Sequence, residues 1–160
     1  MITRYVGGVV SREPYLISSI HFLIFCRLKQ KYVIPEHLCK YLEHRDASED
    51  MYEGHAMKND ADVFNSGAAG YILSRETMKK LVEKWDSDDK NCVTNGGPAW
   101  LQGNPGLATA KCLKESLNVV ATDTRQHGKW HRFHAFPITR LVAGAVDDWY
   151  KKKHKVRVIP

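Results

Sequence analysis

The segment FNSGAAGYILSRETMKKLV, from Phe64 to Val82, carries the strongest indication of the fold. Val63 to Ser74 predicts a strand, a turn of small residues and a second strand. Ser74 suits a helix N-cap, and Glu76 in the first turn favours the positive end of the helix dipole. The segment Arg75 to Trp85 therefore predicts a helix, whose apolar face is formed by Met78, Leu81, Val82 and Trp85.

The segments on either side continue this alternation of strands and helices. Pro35 predicts the start of a helix that runs to about His44. Asn104-Pro105 predicts the start of another helix, whose inward-facing residues are Leu107, Ala110, Leu113 and Leu117. The alternation predicts an α/β or α+β fold. Further predictions are a buried strand within Tyr15–Cys26, strands at Met51–His55 and Val119–Thr122, and loops at Asp86–Gly103 and His127–Phe136.

The bulk composition predicts one folded domain with a basic tail. The chain has 160 residues, of which 43% are hydrophobic and 26% charged, so general disorder and a rod-like coiled coil are excluded. The net charge is +6, but five of the 24 basic side chains lie in residues 151–160, which leaves 19 against 18 acidic ones. We therefore expect no nucleic-acid partner, and a nucleic-acid-binding protein is only a third hypothesis, which rests on the tail.

Four local features each leave two interpretations open. The cysteines Cys26, Cys39, Cys92 and Cys112 contain no C-x-x-C pair, so two disulfides and four reduced thiols are both compatible with the sequence. The segment Gly67 to Gly70 predicts a tight turn, or a place where the backbone approaches a ligand closely. His131 and His134 are either structural or metal-binding. The apolar run Tyr15–Cys26 is too short to cross a membrane and is either a strand or part of a signal sequence.

Several blocks resemble one family in the same order and with the same spacing. Phe64–Val82 resembles the S-G-G-A-G-Y-V-L-S-x-E-A stretch of the inverting β1,3-glycosyltransferases, the group with fringe and core 1 β1,3-galactosyltransferase. Four further blocks resemble its T-Y-V-I-x-E-N-L, Y-x-G-H, G-K-C-L and R-F-H-P-F segments: Tyr32–Leu38, Met51–His55, Lys111–Leu113 and Arg132–Phe136. The resemblance covers about residues 25–150.

The resemblance implies an incomplete GT-A-type α/β fold, consisting of the C-terminal half of a mixed sheet with flanking helices. It divides the chain into an atypical N-terminal segment 1–31, a partial fringe-like glycosyltransferase domain 32–150 and the basic tail 151–160. The implied activity is transfer of a hexose in β1,3 linkage from a UDP-sugar to an acceptor glycan or glycoprotein, with Mn²⁺ as cofactor. The implied location is the Golgi lumen, with a membrane anchor in full-length relatives.

The resemblance also assigns roles to individual residues. His134 falls on a histidine that helps to bind Mn²⁺. The donor pocket of the family falls on Ser66, Gly67 and Gly70, and its sugar-stacking aromatic residues fall on Trp149 and Tyr150. Cys92 and Cys112 fall near a family disulfide, which would indicate oxidising secretory chemistry.

Two departures from the family pattern limit what the resemblance implies. The D-x-D motif falls on Leu28-Lys29-Gln30, and a lysine cannot replace a carboxylate around Mn²⁺. The catalytic E-D-V falls on Pro105-Gly106-Leu107, where no side chain can accept a proton. Asp46, Asp123 and Asp147 are possible substitutes, and the catalytic residue stays unassigned. The resemblance accordingly implies a glycosyltransferase-like function, with truncation or loss of activity left open, and the alternative is a non-catalytic carbohydrate- or partner-binding remnant.

Overall fold

A computed structural model of the chain describes residues 22–25, 34–59, 62–94, 97–98, 104–126 and 131–154. Within these ranges the strands are β1 (Phe22–Phe25), β2 (Tyr52–Gly54), β3 (Ala56–Asn59), β4 (Asp62–Asn65), β5 (Tyr71–Ser74), β6 (Val93–Thr94), β7 (Gly97–Pro98) and β8 (Thr122–Asp123). The helices are α1 (Pro35–Leu42), α2 (Arg75–Asp86), α3 (Pro105–Leu117), α4 (Ile138–Val142) and α5 (Asp148–His154).

A small mixed sheet of four strands organises the fold. Its strand order is β1-β5-β2-β8, with β5 antiparallel to both β1 and β2, and β2 parallel to β8. Two-stranded sheets form from β3 with β4 and from β6 with β7. The predicted mixed α/β architecture with flanking helices is thus confirmed.

The central strand β5 is buried on both faces because different elements cover each face of the sheet. Tyr71 and Leu73 pack into one apolar cluster, whereas Ile72, which points the opposite way, packs into another. We call the first the core face. It contains residues of the sheet, of β4, of α2 and α3 and of the segments that follow these two helices: Tyr52, Phe64, Tyr71, Leu73, Leu81, Cys92, Ala110, Cys112, Leu113 and Val119.

The other side of the sheet is covered by α1 and by the segment 131–136. Its smaller apolar cluster contains Leu42, Met51 and Ile72, against which Leu38, Tyr41 and Phe133 pack. We call this the histidine face, because the polar residues described below lie on it. The two faces together place the sheet in the middle of a three-layer arrangement.

The two long predicted helices and their caps are confirmed. Ser74 accepts a hydrogen bond from the Thr77 amide at 3.1 Å, and Asn104 accepts one from the Leu107 amide at 3.3 Å. None of the helices in the part of the chain that the structure describes is both long and apolar enough to span a bilayer.

Two predictions need correction. The last strand of the sheet begins only at Thr122, because the Val119 amide donates to the Leu113 carbonyl at 2.9 Å and so belongs to the C-terminal cap of α3. The segment 86–103 is not all loop, since β6 and β7 form an antiparallel pair within it. Helix α5 runs to His154, so it includes the first residues of the segment 151–160, for which no secondary structure was predicted. Of the strand predicted within residues 15–26, β1 is observed, and the remainder lies outside the described residues.

Candidate functional site

Strand β2 places two polar side chains on the histidine face. Side chains alternate along a strand, so Glu53 and the following His55 point away from Tyr52, which lies in the core face. Glu53 is 7% exposed and His55 has no exposed surface. Buried groups of this kind need hydrogen-bond partners, and α1 and the segment 131–136 supply them.

His55 joins β2 to the segment 131–136. Its Nδ1 lies 2.8 Å from the carbonyl oxygen of Phe133, and because a carbonyl only accepts, Nδ1 is the protonated nitrogen that donates. The imidazole stacks on that of His131, with 4.1 Å between ring centroids, and its centroid lies 5.8 Å from that of Tyr150. His55 is therefore in contact with two other parts of the chain at once.

His134 and Tyr150 complete this arrangement, and we call His55, His131, His134 and Tyr150 the histidine cluster. The Tyr150 hydroxyl lies 3.4 Å from His134 Nδ1 and accepts a hydrogen bond from the Ala135 amide at 3.3 Å. Burial, and then the charge of nearby His55, lowers the pKa of His134 below 6.5, while burial raises the pKa of Tyr150. The His134 ring is thus kept neutral near pH 7.

A second polar group lies on the same face, next to Glu53. The Tyr41 hydroxyl donates to Glu53 Oε2 at 2.5 Å, and Arg45 lies 3.4 Å from Glu53 Oε1. The guanidinium groups of Arg45 and Arg132 lie 5.1 Å and 5.0 Å from the centre of the Tyr41 ring. We call these residues the Glu53 network. It ties α1 to β2 and, through Arg132, to the segment that carries His134.

Desolvation and the neighbouring carboxylate act together on Tyr41. Burial first, and then the hydrogen bond and charge of Glu53, raises the pKa of Tyr41 to about 12. Arg45 acts in the opposite direction. Tyr41 therefore stays a hydrogen-bond donor at any physiological pH. A cleft of about 270 Å³ opens beside Glu53, at the amino ends of β2 and β8.

The predicted small-residue turn is hydrogen-bonded to His55 of the histidine cluster. The Ser66 amide donates to the His55 carbonyl at 2.9 Å, and the Ala69 amide donates to the Ser66 carbonyl at 3.0 Å. Gly70 has a φ of +79°, which favours glycine. Ser66 and Gly70 are buried, whereas Gly67 is half-buried and so lies closer to the surface of the turn.

The N-terminus of α3 packs tightly against this turn. A Cβ on Gly106 would lie 3.2 Å from the Asn65 carbonyl oxygen and 3.4 Å from the Gly67 nitrogen, so a larger residue would push the helix and the turn apart. The position that matches the family's catalytic E-D-V is thus occupied by a glycine that packs closely against the turn.

The structure brings most of the predicted site residues to one end of the sheet. The turn with Ser66, Gly67 and Gly70 and the cluster with His134 and Tyr150 meet at His55, just beyond the carboxyl end of β2. The carboxyl ends of parallel strands are the usual location of ligand sites in α/β sheets. Cys92 and Cys112 lie elsewhere, in the core face, and are joined by a disulfide.

The two predicted sugar-stacking residues differ in exposure. Trp149 is 50% exposed, whereas Tyr150 has no exposed surface and contacts Phe136 and Trp149 edge to face. Only Trp149 therefore presents a ring surface to a ligand in this structure. Tyr150 packs against the Trp149 ring, and its hydroxyl accepts a hydrogen bond from the Ala135 amide in the segment 131–136.

A complete Mn²⁺ site is not formed by the residues described. No group of three or more histidine, cysteine or acidic side chains in the described ranges is arranged to hold a metal ion. The acidic candidates have other partners: Asp46 accepts from Ser48, Asp123 pairs with Arg125, and Asp147 accepts from Trp149. Since Mn²⁺ prefers carboxylate and other oxygen ligands, His134 as a metal ligand stays a prediction.

Sequence reasoning assigned no role to His55 or to the Glu53 network. Met51–His55 was recognised as a family-like block, and alternation along that strand places Glu53 and His55 on one face. The alternation within this block was the sequence signal that could have placed Glu53 and His55 at a site. Their partners could not be identified from it, because Tyr41 and Phe133 are distant in sequence and come together only in the fold.

Comparison with known proteins supports the resemblance to glycosyltransferases only at a coarse level. No protein-family model matches the chain. A curated relative from Xenopus laevis, named glycoprotein-N-acetylgalactosamine 3-beta-galactosyltransferase 1, is 28% identical over 124 residues. The chain is related to a glycosyltransferase. The match covers 74% of this chain and 32% of the relative, so the chain spans about a third of the length of the curated relative that it matches. The narrower fringe-like assignment stays a prediction.

Proposed function

We propose that this chain is the C-terminal part of a GT-A-type glycosyltransferase that moves a hexose from a UDP-sugar to an acceptor glycan or glycoprotein in β1,3 linkage. The observation that carries the proposal is the meeting of the small-residue turn and the histidine cluster at His55. These are two of the blocks that resemble the family. The partial similarity to a 3-beta-galactosyltransferase supports the same conclusion.

In this proposal each part of the site has a separate task. The turn with Ser66, Gly67 and Gly70 lines the donor pocket, where absent side chains admit the sugar. Trp149 stacks against the acceptor sugar and Tyr150 supports it. His134, kept neutral by burial, offers a ring nitrogen for a hydrogen bond or for Mn²⁺. The carboxylates that Mn²⁺ would also need are not among the described residues around His134, so we derive no reaction step through the metal.

The proposed location is the secretory pathway, on the lumenal side of the Golgi. The disulfide between Cys92 and Cys112 supports it, because disulfides persist in oxidising compartments and are rare in the cytosol. A membrane anchor is expected in full-length relatives. The exposed Cys39 is free, and Cys26 lies outside the described residues.

The test is donor binding and turnover by the full 160-residue chain. We expect UDP-galactose to raise the thermal unfolding midpoint, and UDP to be released when a peptide carrying N-acetylgalactosamine is added with Mn²⁺. His134→Ala should reduce the Mn²⁺-dependent part of both signals. His44→Ala, which changes an exposed histidine, is the matched control. No thermal shift and no UDP release in any condition would refute the enzyme proposal.

A second candidate, a non-catalytic carbohydrate-binding module, is favoured by one specific observation. Gly106 lies at the position of the family's catalytic carboxylate and packs closely against the turn, and a glycine offers no general base there. This candidate predicts that glycan binding depends on Trp149 and persists in EDTA, without any UDP release. Donor binding that disappears in EDTA would instead support the enzyme.

A further inference from the structure

The carboxylate of Asp147 lies at the edge of the exposed Trp149 ring. Trp149 Nε1 donates a hydrogen bond to Asp147 Oδ2 at 3.2 Å. Because an indole N–H bond lies in the plane of the ring, the carboxylate lies beside the ring and close to that plane. The ring also contacts buried Tyr150, with centroids 5.6 Å apart at 89°. The indole is thus held by two contacts, while Trp149 as a whole is 50% exposed.

Asp147 is itself fixed by the first turn of α5. Its backbone carbonyl accepts from the amides of Tyr150 and Lys151, at 3.0 Å and 3.1 Å. A side chain at such a position commonly caps the helix, but the Asp147 carboxylate accepts from the Trp149 indole. No other donor or cation within the described ranges bonds to this exposed carboxylate. Since a carboxylate has about four lone-pair sites, most of its acceptor capacity is left for solvent or a ligand.

We propose that Asp147 and Trp149 form a subsite for an uncharged saccharide, with Asp147 as its specificity-determining residue. The inference rests on the proposed function for the stacking of a sugar on Trp149, and it adds that hydroxyl groups of this sugar donate to Asp147. A pyranose that stacks on the indole carries its hydroxyl groups around the periphery of its own ring. Some of them therefore lie beside the edge of the indole where the carboxylate is held. Hydrogen bonds to a carboxylate are stronger than those to a neutral acceptor.

The charge of this subsite favours hydroxyl donors over acidic sugars. A sugar with its own carboxylate would bring a second negative charge towards Asp147. The cation that follows on the helix, Lys151, lies 3.5 Å from a different carboxylate, that of Asp148. An ammonium ligand is bound best by a cage of several aromatic rings. Here Tyr150 has no exposed surface, so of these two rings only the Trp149 indole can contact a ligand.

The test compares sugars that share one ring and differ in charge. The full 160-residue chain is titrated at constant ionic strength with methyl β-galactoside, with methyl β-galacturonide, and with methyl β-galactosaminide, whose amine is protonated. Saturation transfer to the NMR signals of each glycoside measures its affinity in every variant. We expect the uncharged galactoside to bind about fivefold more tightly than the galacturonide.

The ratio of these two affinities separates a direct role of Asp147 from a structural one. Asp147→Asn keeps an acceptor for the indole and removes the charge, so the two affinities should come to within about twofold of each other. Asp147→Ala should weaken binding of the galactoside about fivefold, because the acceptor is gone. The matched control is Asp148→Asn, which removes the same charge from the next residue, whose side chain is 86% exposed. It should leave the ratio unchanged.

Each contrary result has a distinct meaning. A ratio that is unchanged in Asp147→Asn, or that falls equally in Asp148→Asn, would overturn this inference and leave the proposed sugar transfer, which UDP release tests, intact. Full binding of the galactoside by Trp149→Ala, or no binding by the wild type, would overturn the subsite together with the sugar-stacking role of Trp149. Tightest binding of the galactosaminide would overturn the inference in favour of a cation site.

Discussion

The two faces of the central sheet are stabilised by different kinds of contact. The core face is an apolar cluster fixed by helices α2 and α3 and by the disulfide between Cys92 and Cys112. The histidine face has a much smaller apolar cluster and, around it, buried or half-buried polar groups that pair with one another across distant parts of the chain. One face resembles an ordinary protein interior, and the other does not.

This difference indicates where function lies. Burying Glu53 and His55 in a sheet is unfavourable unless each polar atom is paired, and apolar residues of similar size would stabilise the fold at least as well. Departures from simple packing of this kind concentrate at functional sites. Changes on both faces test whether the faces divide stability and function in this way.

The largest effect is expected for Leu113→Ala on the core face. Leu113 has no exposed surface and lies among residues from the sheet and α2, so the truncation leaves a cavity. We expect a loss of about 2–5 kcal/mol in the free energy of unfolding, measured by urea denaturation. Leu117→Ala, in the half-buried last turn of α3, is the control and should lose less. An equal or greater loss there would contradict the assignment of the core.

Removing the disulfide should have the next largest effect. Cys92 and Cys112 are separated by 20 positions, and opening a loop of that length lowers stability by about 3 kcal/mol. Cys92→Ala/Cys112→Ala should therefore unfold at lower urea than the wild type. Cys39→Ala, at an exposed free thiol, should leave the urea midpoint unchanged. A double variant as stable as wild type would show that the bridge does not hold the core face together.

The core face could be predicted from the sequence better than the histidine face. Helices α2 and α3 follow from local information, namely the caps Ser74 and Asn104 and the apolar spacing that ends at Trp85 and Leu117. In each helix the cap and the last apolar residue are close in sequence, 11 positions apart in α2 and 13 in α3. Strand β8 was misplaced because Val119 to Thr122 has the composition of a strand, whereas the Val119 amide donates to the Leu113 carbonyl and closes the end of α3.

The candidate site depended on pairings that local sequence does not encode. Tyr41 and Glu53 are 12 positions apart and His55 and Phe133 are 78 apart, yet each pair shares a hydrogen bond. The close packing of Gly106 arises only because α3 meets the turn after β4 in the fold. The family resemblance located the turn and the segment around His134, and the fold then supplied His55 as the residue that joins them.

On the histidine face, Glu53→Gln should have a moderate effect with a specific signature. The substitution removes a buried carboxylate that accepts from Tyr41 and pairs with Arg45, which we expect to lower stability by about 1–2 kcal/mol. The pKa of Tyr41, about 12 in the wild type, should fall but stay above 10, because burial remains its largest cause. Phenolate absorbance, read as the difference from a Tyr41→Phe background, measures it.

The raised pKa of Tyr41 also fixes the sign of a pH effect. The unfolded chain loses this proton near pH 10 and the folded chain only near 12, so stability present below pH 10 is lost as the pH rises between these values. Tyr41→Phe should flatten that decline. Glu49→Gln, an exposed carboxylate near the same strand, is the control and should leave the Tyr41 titration unchanged. An unchanged Tyr41 pKa in Glu53→Gln would contradict the network.

The smallest effect on stability is expected from the titration of His134. Burial and the neighbouring His55 hold its pKa below 6.5, so the unfolded chain binds a proton more readily than the folded one. Stability is therefore complete above pH 6.5 and is lost as the pH falls through the lower, folded pKa. His134→Asn should reduce this acid-side loss, and His44→Asn, at an exposed site, should not. In the His55→Asn variant the pKa of His134, followed by NMR, should rise towards 6.5 because one of its two lowering causes is gone. A pKa that stays where it is would mean that His134 does not sense the charge of His55, and the Glu53 network alone would then distinguish the electrostatics of the histidine face from those of the core face.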